Sequence, residues 1–184
     1  MKKTGNLTAL FILLSLIVNA QGKFYTKTGR ITFFSTTAVE DIEAINKSAV
    51  AILDSKTGDL QFAVLMKGFE FKKALMQEDF NKDYAESSKF PKSEFKGQIT
   101  NNTEIDYTKD GSYTAKVKGK LTIHGEKKDV EATGTISVKD GKVQVKSIFN
   151  IQIADYKITV RRLYKDSISP AIKITVDCSL DPLK

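Results

Sequence analysis

The sequence predicts an all-β fold, an extended antiparallel β-barrel of about eight strands with one α-helix inserted to cover one end. Three observations support this prediction. Apolar and polar residues alternate along most of the chain, turn residues recur between the alternating runs, and one segment breaks the alternation with the spacing of a helix. No repeat or linker divides the chain, so we expect one folded domain over residues 21–184.

The first twenty residues have the composition of a secretory signal peptide. Lys2 and Lys3 precede a short apolar run, LTALFILLSLIV, and small residues follow at Val18-Asn19-Ala20. The run is too short for a comfortable membrane span, and no Cys lies near the cut to carry a lipid anchor. We therefore expect cleavage after Ala20, no transmembrane helix in the mature chain, and a periplasmic or secreted protein.

The clearest strand pair is TISVKDGKVQVKSIFNIQI, where Asp140-Gly141 forms a tight turn between two arms. An Asp-Gly pair between alternating runs is a strong hairpin signal, and arms of about ten residues are longer than the usual strand. Segment 39–46 is expected to be a loop or a short helical turn. The other predicted strands are, in chain order, 29–36, 48–54, 59–71, 94–105, 111–124, 155–161 and 171–180.

One segment, residues 72–86, has helical spacing instead. Its apolar positions are Ala74, Leu75, Met76, Phe80 and Tyr84, and Phe90-Pro91 ends the pattern because a residue before proline avoids helical angles. Such a stripe indicates either core packing or a cover over a ligand, and a helix across a barrel opening would do both. Met76, Phe80 and Tyr84 should then point inward, with Glu78 and Lys82 toward water.

Charge and cysteine content exclude several classes of protein. The formal net charge is +7, and loss of Lys2 and Lys3 would lower it to +5. The lysines are scattered along strand faces, which leaves a weak contact with an anionic membrane surface open, while no nucleic-acid module is recognisable. Cys178 is the only cysteine, so no intramolecular disulfide can form, and its position in an alternating strand predicts a buried thiol.

Catalytic chemistry has few residues to use. The single His124 lies at a strand end before Gly125, too few histidines and cysteines are present for a zinc site, and no phosphate-binding loop occurs. We expect no cofactor and no metal, and a structural His124. Two alternatives stay open: a hydrolase acting on a lipid or glycan with His124 as base, and a surface protein-interaction module whose barrel is filled by side chains.

Two long motifs carry a resemblance to a known family. LMQEDFNKDYAESSKFPKSEFKG resembles the pattern L-M-x-E-H-F-N-x-x-Y-x-x-S-x-K-F-P-x-x-x-F-K-G, and Leu121 to Gly125 with a following lysine resembles L-T-I-H-G-x-x-K. Both patterns belong to the YceI-like, polyisoprenoid-binding family. GRITFFSTT, AILDSKTGDLQFAVLMKGFEF, SIF and DYKI are similar to further elements of it. Asp79 departs from the pattern, which has His at that position.

The resemblance implies a lipocalin-like barrel whose lumen holds a long-chain isoprenoid or fatty amphiphile, and it leaves a homodimer open. Strand parity places residues such as Phe62, Val64 and Met66 on one face, and converging faces would make an apolar lumen. His124 is a candidate for a headgroup or structural contact. The candidate ligand-contacting residues of the lumen and cover are Phe62, Val64, Met66, Phe69, Phe71, Leu75, Met76, Phe80, Tyr84, Phe95, Leu121, Ile123, Phe149, Ile151, Ile153 and Tyr156.

Overall fold

The structure, a computed structural model, describes residues 22–183 and shows a closed antiparallel barrel. Eight strands follow one another around the ring in the order β1-β9-β8-β7-β6-β5-β3-β2, and β2 pairs with β1 to close it. The predicted all-β barrel is therefore confirmed. The strands are β1 (Lys23–Thr36), β2 (Asp41–Asp54), β3 (Asp59–Leu65), β4 (Glu70–Phe71), β5 (Lys92–Ile99), β6 (Gly111–Ile123), β7 (Glu126–Lys139), β8 (Lys142–Gln152) and β9 (Ala171–Pro182).

Segment 39–46 was predicted as a loop or helical turn, and that prediction is wrong. Its residues 41–46 begin the 14-residue strand β2, in which Ala44 and Asn46 are fully buried and Asp41 and Glu43 take outward positions. The acidic residues hid the alternation because they resemble loop composition. Asn46 replaces an apolar residue at an inward position, and its side-chain amide donates to the Leu65 carbonyl at 3.0 Å.

The predicted strand 155–161 is also wrong. A short 3-10 turn, Ile153–Tyr156, follows β8, and Lys157 has φ 55°, which ends any extended run. Tyr156 is 2% exposed and packs between strands instead of continuing one. The predicted strand 59–71 is broken as well, since the 3-10 turn Met66–Gly68 separates β3 from the two-residue β4. A 3-10 turn at Asn102–Glu104 likewise ends the predicted 94–105 strand after Ile99.

The inserted helix is present but shorter than predicted. Helix α1 covers Ala74–Asp79, and a π turn at Phe80–Tyr84 continues it. The amide of Ala85 donates to the carbonyl of Phe80 at 2.7 Å, the five-residue spacing of a π turn. Glu78 and Lys82 are exposed as expected. Within residues 22–183, no helix has both the length and the apolar character that a membrane crossing requires. The predicted signal peptide, 1–20, lies outside the described residues.

One half of the barrel, which we call the packed half, is filled by side chains. It is the half closed by the Asp140-Gly141 hairpin, whose two turn residues have φ 51° and 72° as the Asp-Gly signal predicts. Phe24 stacks on Tyr107 there with ring centroids 6.1 Å apart, and burial raises the pKa of Tyr107. Buried apolar side chains of this half that do not reach the cavity include Leu53, Val138, Val143 and Leu180.

The opposite half, which we call the covered half, lies under α1 and the π turn, and its wall is incomplete. The β7–β8 ladder runs only from Lys139↔Lys142 to Gly134↔Ser147. Beyond that rung, β7 remains paired with β6 as far as Glu126, and β8 remains paired with β9 as far as Gln152. Segments 126–133 and 148–152 therefore have no ladder between them, and we call this gap the side slit.

Candidate functional site

The covered half contains a cavity of about 310 Å³. Its wall is almost entirely apolar, because the inward positions of most barrel strands carry aliphatic or aromatic residues. The volume lies at the lower end of the range for small-molecule pockets. The eight-stranded barrel is thus filled by its own side chains at one end and hollow at the other.

Most of the candidate residues lie on this cavity wall. Leu75 does not, since its side chain is 65% exposed on the outer face of α1. Tyr156 does not either, because it is 2% exposed and packs against the wall residues Ile151 and Ile172 without reaching the cavity. The candidates on the wall are Phe62, Val64, Met66, Phe69, Phe71, Met76, Phe80, Tyr84, Phe95, Leu121, Ile123, Phe149, Ile151 and Ile153, together with His124.

Phe33 is at the centre of the aromatic part of the wall, although it was not among the candidates. Its ring centroid lies 5.2 Å from Phe69, 5.7 Å from Phe71 and 5.4 Å from Phe80. Such separations suit favourable edge and tilted ring contacts. Alternation along β1 could have indicated Phe33, because Ile31, Phe33 and Ser35 share the inward face. The cluster joins the wall to the π turn through Phe80.

Phe95 forms another part of the wall by lying over two glycines. Gly97 and Gly119 face each other across the β5–β6 ladder. A Cβ atom at either position would come within 2.4 Å and 2.6 Å, respectively, of the tip of the Phe95 ring. The ring therefore fills the space that two side chains would occupy, and the paired glycines let it lie flat against the strands.

Ion pairs fasten the cover to the barrel on two sides. Lys73, at the start of α1, pairs with Glu40 at 2.6 Å. On the other side, Arg161 in the loop between β8 and β9 pairs with Asp79 at 3.3 Å and with Asp83 at 2.5 Å. Asp79, which stands where the family pattern has His, thus ties the cover to Arg161. These pairs are partly exposed, so each contributes modestly to stability.

His124 joins three loops at the rim of the covered half. It has φ 51°, and with Gly125 it forms the tight β6–β7 turn. Nδ1 donates to the carbonyl of Tyr156 at 3.1 Å, because a carbonyl can only accept. Nε2 lies 2.5 Å from the Glu86 carboxylate, within hydrogen-bond distance. Phe90 packs on the ring at 4.5 Å. Both nitrogens are engaged in holding the turn to its neighbours.

Polar chemistry around the cavity is sparse. Within residues 22–183, no group of three or more His, Cys, Asp or Glu side chains is placed to hold a metal ion. Cys178 is fully buried outside the cavity, and burial raises the pKa of its thiol to about 11, so it is a poor nucleophile. Burial also raises the pKa of Tyr84, whose hydroxyl lies under the cover. The arrangement is thus suited to burying apolar surface.

Comparison with known proteins agrees with this geometry. A family model described as YceI-like domain matches residues 11–180. Among solved structures, a polyisoprenoid binding domain from Saccharophagus degradans, implicated in plant cell wall breakdown, aligns with a TM-score of 0.77 at 10% identity. That alignment covers 88% of this chain and 99% of the other. No curated protein sequence matches the chain.

Two further structures have the same fold. BcnA of Burkholderia cenocepacia aligns with a TM-score of 0.68 at 18% identity, covering 83% of this chain and 95% of BcnA. The YceI protein of Campylobacter jejuni aligns with a TM-score of 0.58 at 16% identity, covering the whole of both chains. At these identities the structural likenesses establish the fold alone.

Proposed function

The chain belongs to the YceI-like family, and from that membership and the apolar cavity we propose that it carries or sequesters a long-chain lipid, an isoprenoid or a similar amphiphile, without catalysis. The observation that carries the proposal is the cavity wall. Aromatic and aliphatic side chains from most of the barrel strands and from the π turn converge on one apolar space. Of the structural relatives, the domain from Saccharophagus degradans is described as polyisoprenoid binding.

The energetics of such a cavity favour a chain-like apolar ligand. Burying apolar surface contributes about 25 cal/mol per Å², so several hundred Å² of a lipid chain would contribute several kcal/mol. Ordering a flexible chain opposes part of that gain. A cavity of about 310 Å³ is also small for a long lipid, so the headgroup and part of the chain would remain outside it.

His124, the one histidine of the chain, is poorly placed to act as a catalytic base. A general base needs a free nitrogen within reach of the proton that it removes. Both ring nitrogens are already engaged, with the Tyr156 carbonyl and the Glu86 carboxylate. The hydrolase alternative predicts ester or glycoside turnover that disappears in His124→Ala, whereas the carrier predicts no turnover in either protein. A protein-interaction module would instead take up no lipid.

Export belongs to the same proposal. A signal peptide over residues 1–20 would deliver the carrier to the periplasm or the exterior, where lipids moving between membranes need protection from water. The excess of lysine would assist a weak contact with an anionic membrane surface. A homodimer is a further expectation. Expression of the full chain in a bacterial host, followed by fractionation and mass analysis, tests cleavage after Ala20 and the oligomeric state.

The central test uses two matched substitutions on the cover. Phe80→Asp places a charge inside the aromatic cluster, and Leu75→Asp places the same charge on the exposed face of α1. Protein purified from its own host is analysed by native mass spectrometry and organic extraction. We expect lipid with the wild type and with Leu75→Asp, and its loss with Phe80→Asp. A bare polypeptide mass for the wild type, with no uptake of added isoprenoids or fatty amides, would overturn the proposal.

A further inference from the structure

We infer that the lipid chain enters and leaves the cavity sideways, through the side slit between β7 and β8, and not by displacement of the helical cover. This inference rests on the proposed function, because it assigns a route to the ligand of the same cavity. The route would run between strand segments 126–133 and 148–152, which are not part of the cover.

The side slit has defined ends. At the inner end, the hydroxyl of Ser147 donates to the Thr133 carbonyl at 3.0 Å, directly after the last backbone rung. At the outer end, Lys157 pairs with Glu126 at 2.8 Å, and His124 bonds the Tyr156 carbonyl. Between these ends the β8 side of the slit is five residues long, 148–152, about 17 Å at the rise of an extended strand, before the turn Ile153–Tyr156 packs against β7. The opening is therefore elongated along the strands, a shape that suits a chain.

The cavity extends along the slit. Val130 and Ala132 of β7 and Phe149 and Ile151 of β8 line it from the two unpaired segments, and Gly134 and Ser147 line it at the last rung. Exposure along β7 agrees, because Ile136 and Val138 are 1% and 3% exposed beside the ladder while inward-facing Ala132 is partly exposed beside the slit.

Glycine at position 134 fits the place where the wall opens. A Cβ atom there would lie 2.5 Å from the Lys146 carbonyl oxygen, so β7 and β8 are in close contact at this last rung. On β8, Ile148 follows Ser147, the last paired residue, and its side chain is 66% exposed on the outer face. An exposed apolar side chain therefore lies beside the slit, where a lipid chain in transit would contact it.

The alternative route requires more contacts to break. Lifting α1 and the π turn would separate Arg161 from Asp79 and Asp83, and would withdraw Phe80 from three phenylalanine rings. Across the side slit, residues 127–133 and 148–152 share no hydrogen bond or ion pair in the described part of the chain. Spreading two strand edges that are already apart leaves the ladders on their other sides intact.

The test staples each route closed in turn. Thr133→Cys/Asn150→Cys, bridged by a short bismaleimide, ties the outer faces of β7 and β8 across the slit. Asp83→Cys/Arg161→Cys, bridged in the same way, ties the cover to the loop that it contacts. Ser112→Cys/Ser137→Cys is the matched control, because these hydroxyls lie 3.3 Å apart across an already paired ladder. Cys178 is buried and stays unmodified in the folded protein.

Release of a bound polyene fatty acid into excess lipid vesicles is followed by fluorescence for each stapled protein. We expect the slit staple to slow release by about tenfold or more, and the control staple to leave the rate within about twofold. A longer bismaleimide at the same two cysteines ties the strands without closing the gap, so it should restore most of the rate. Far-UV circular dichroism checks that the stapled proteins keep their fold.

The outcomes separate the route from the proposed function. Normal uptake with a release rate that only the cover staple slows would overturn the side route and leave the carrier intact. Normal uptake with a rate that no staple changes would also overturn it. A wild-type protein that takes up none of the polyene fatty acid or any added isoprenoid would overturn both the route and the carrier.

Discussion

The two halves of the barrel use the same kinds of residue in different ways. In the packed half, side chains such as Leu53 and Val143 fill the interior and are 0% exposed. In the covered half, larger residues such as Phe33 and Phe95 stand around a cavity and stay partly exposed. The packed half closes with a tight hairpin, whereas the covered half is closed by a short helix, a π turn and ion pairs.

This difference teaches that hydrophobic content does not decide whether a small barrel is hollow. What decides it is whether side chains from opposite walls meet. Medium-sized aliphatic residues fill the packed half from both sides, where Leu53 on β2 and Val138 on β7, four strands away, are 0% and 3% exposed. Phenylalanines in the covered half contact one another along the wall, as Phe33 contacts Phe69 and Phe71, and leave the centre open. Four predictions test how separate the two halves are.

The largest effect is expected from a truncation in the packed half. Leu53→Ala removes a fully buried side chain and should lower the free energy of unfolding by about 2–5 kcal/mol, the usual cost of a new core void. Uptake of the polyene fatty acid per folded molecule should stay unchanged, because Leu53 does not line the cavity. Urea unfolding and fluorescence titration measure the two quantities. A loss of uptake with the fold intact would show that the halves are not separate.

Alkaline pH should also act through the packed half. Burial raises the pKa of Cys178 from 9.0 to about 11, so between these values the unfolded chain loses the thiol proton while the folded chain keeps it. Stability must then fall as pH rises through this window, by on the order of 2 kcal/mol for this group. Urea unfolding of the wild type and of Cys178→Ala at pH 8 to 11 measures it. Equal slopes for the two proteins would contradict the assignment, since tyrosines contribute equally to both.

An intermediate effect is expected at the aromatic wall. Phe33→Ala should lower stability by about 1–2 kcal/mol, less than a fully buried Phe, because one side of the ring already faces the cavity. The enlarged cavity should accept a bulkier chain than the wild type does. Phe34→Ala, one residue along on the outer face, is the control and should change neither stability nor chain preference appreciably. Competition between straight and branched lipids for the polyene probe distinguishes the two variants.

The smallest change in stability is expected from the ion pairs. Arg161→Gln removes the contacts with Asp79 and Asp83, and Lys142→Gln removes the pair with Asp181 at the packed end. Both should change the free energy of unfolding by less than about 1 kcal/mol, because the pairs are exposed. If the lipid leaves by the side slit, both variants should also release the probe at the wild-type rate. Faster release from Arg161→Gln alone would indicate that the cover moves instead.

The sequence predicted the barrel because alternation is strong wherever one face is buried. The Asp140-Gly141 turn and the inward side chains of Met76, Phe80 and Tyr84 all follow local rules of that kind. The start of β2 was missed because Asn46 and the acidic residues interrupt the apolar–polar alternation. Asn46 is a buried polar residue whose hydrogen bond to the Leu65 carbonyl, 19 residues away, leaves no local pattern in the sequence. Tyr156 was misplaced for a related reason, since its buried position depends on packing between strands.

The side slit could not be predicted from local pattern at all. Residues 126–133 alternate as regularly as the rest of β7, and nothing in them shows that β8 turns away after Ser147. The separation depends on how β8 continues into the turn at Ile153–Tyr156, which Tyr156 and Lys157 fasten to the neighbouring strands. Strand pairing is a property of two segments together, so one segment read alone cannot disclose where a ladder stops.

The unpaired margin of β7 also has a consequence for how the protein behaves at high concentration. A strand margin with free backbone groups is a template on which a second molecule can add a strand, the first step toward aggregation. Charged side chains occupy much of this margin, with Lys127, Lys128, Asp129 and Glu131 in close succession. Asp129 and Glu131 pair with Lys120 and Lys118 on β6, so a second copy could add its strand here only by desolvating these charges. The charged margin thus opposes edge-to-edge association where the wall is unpaired.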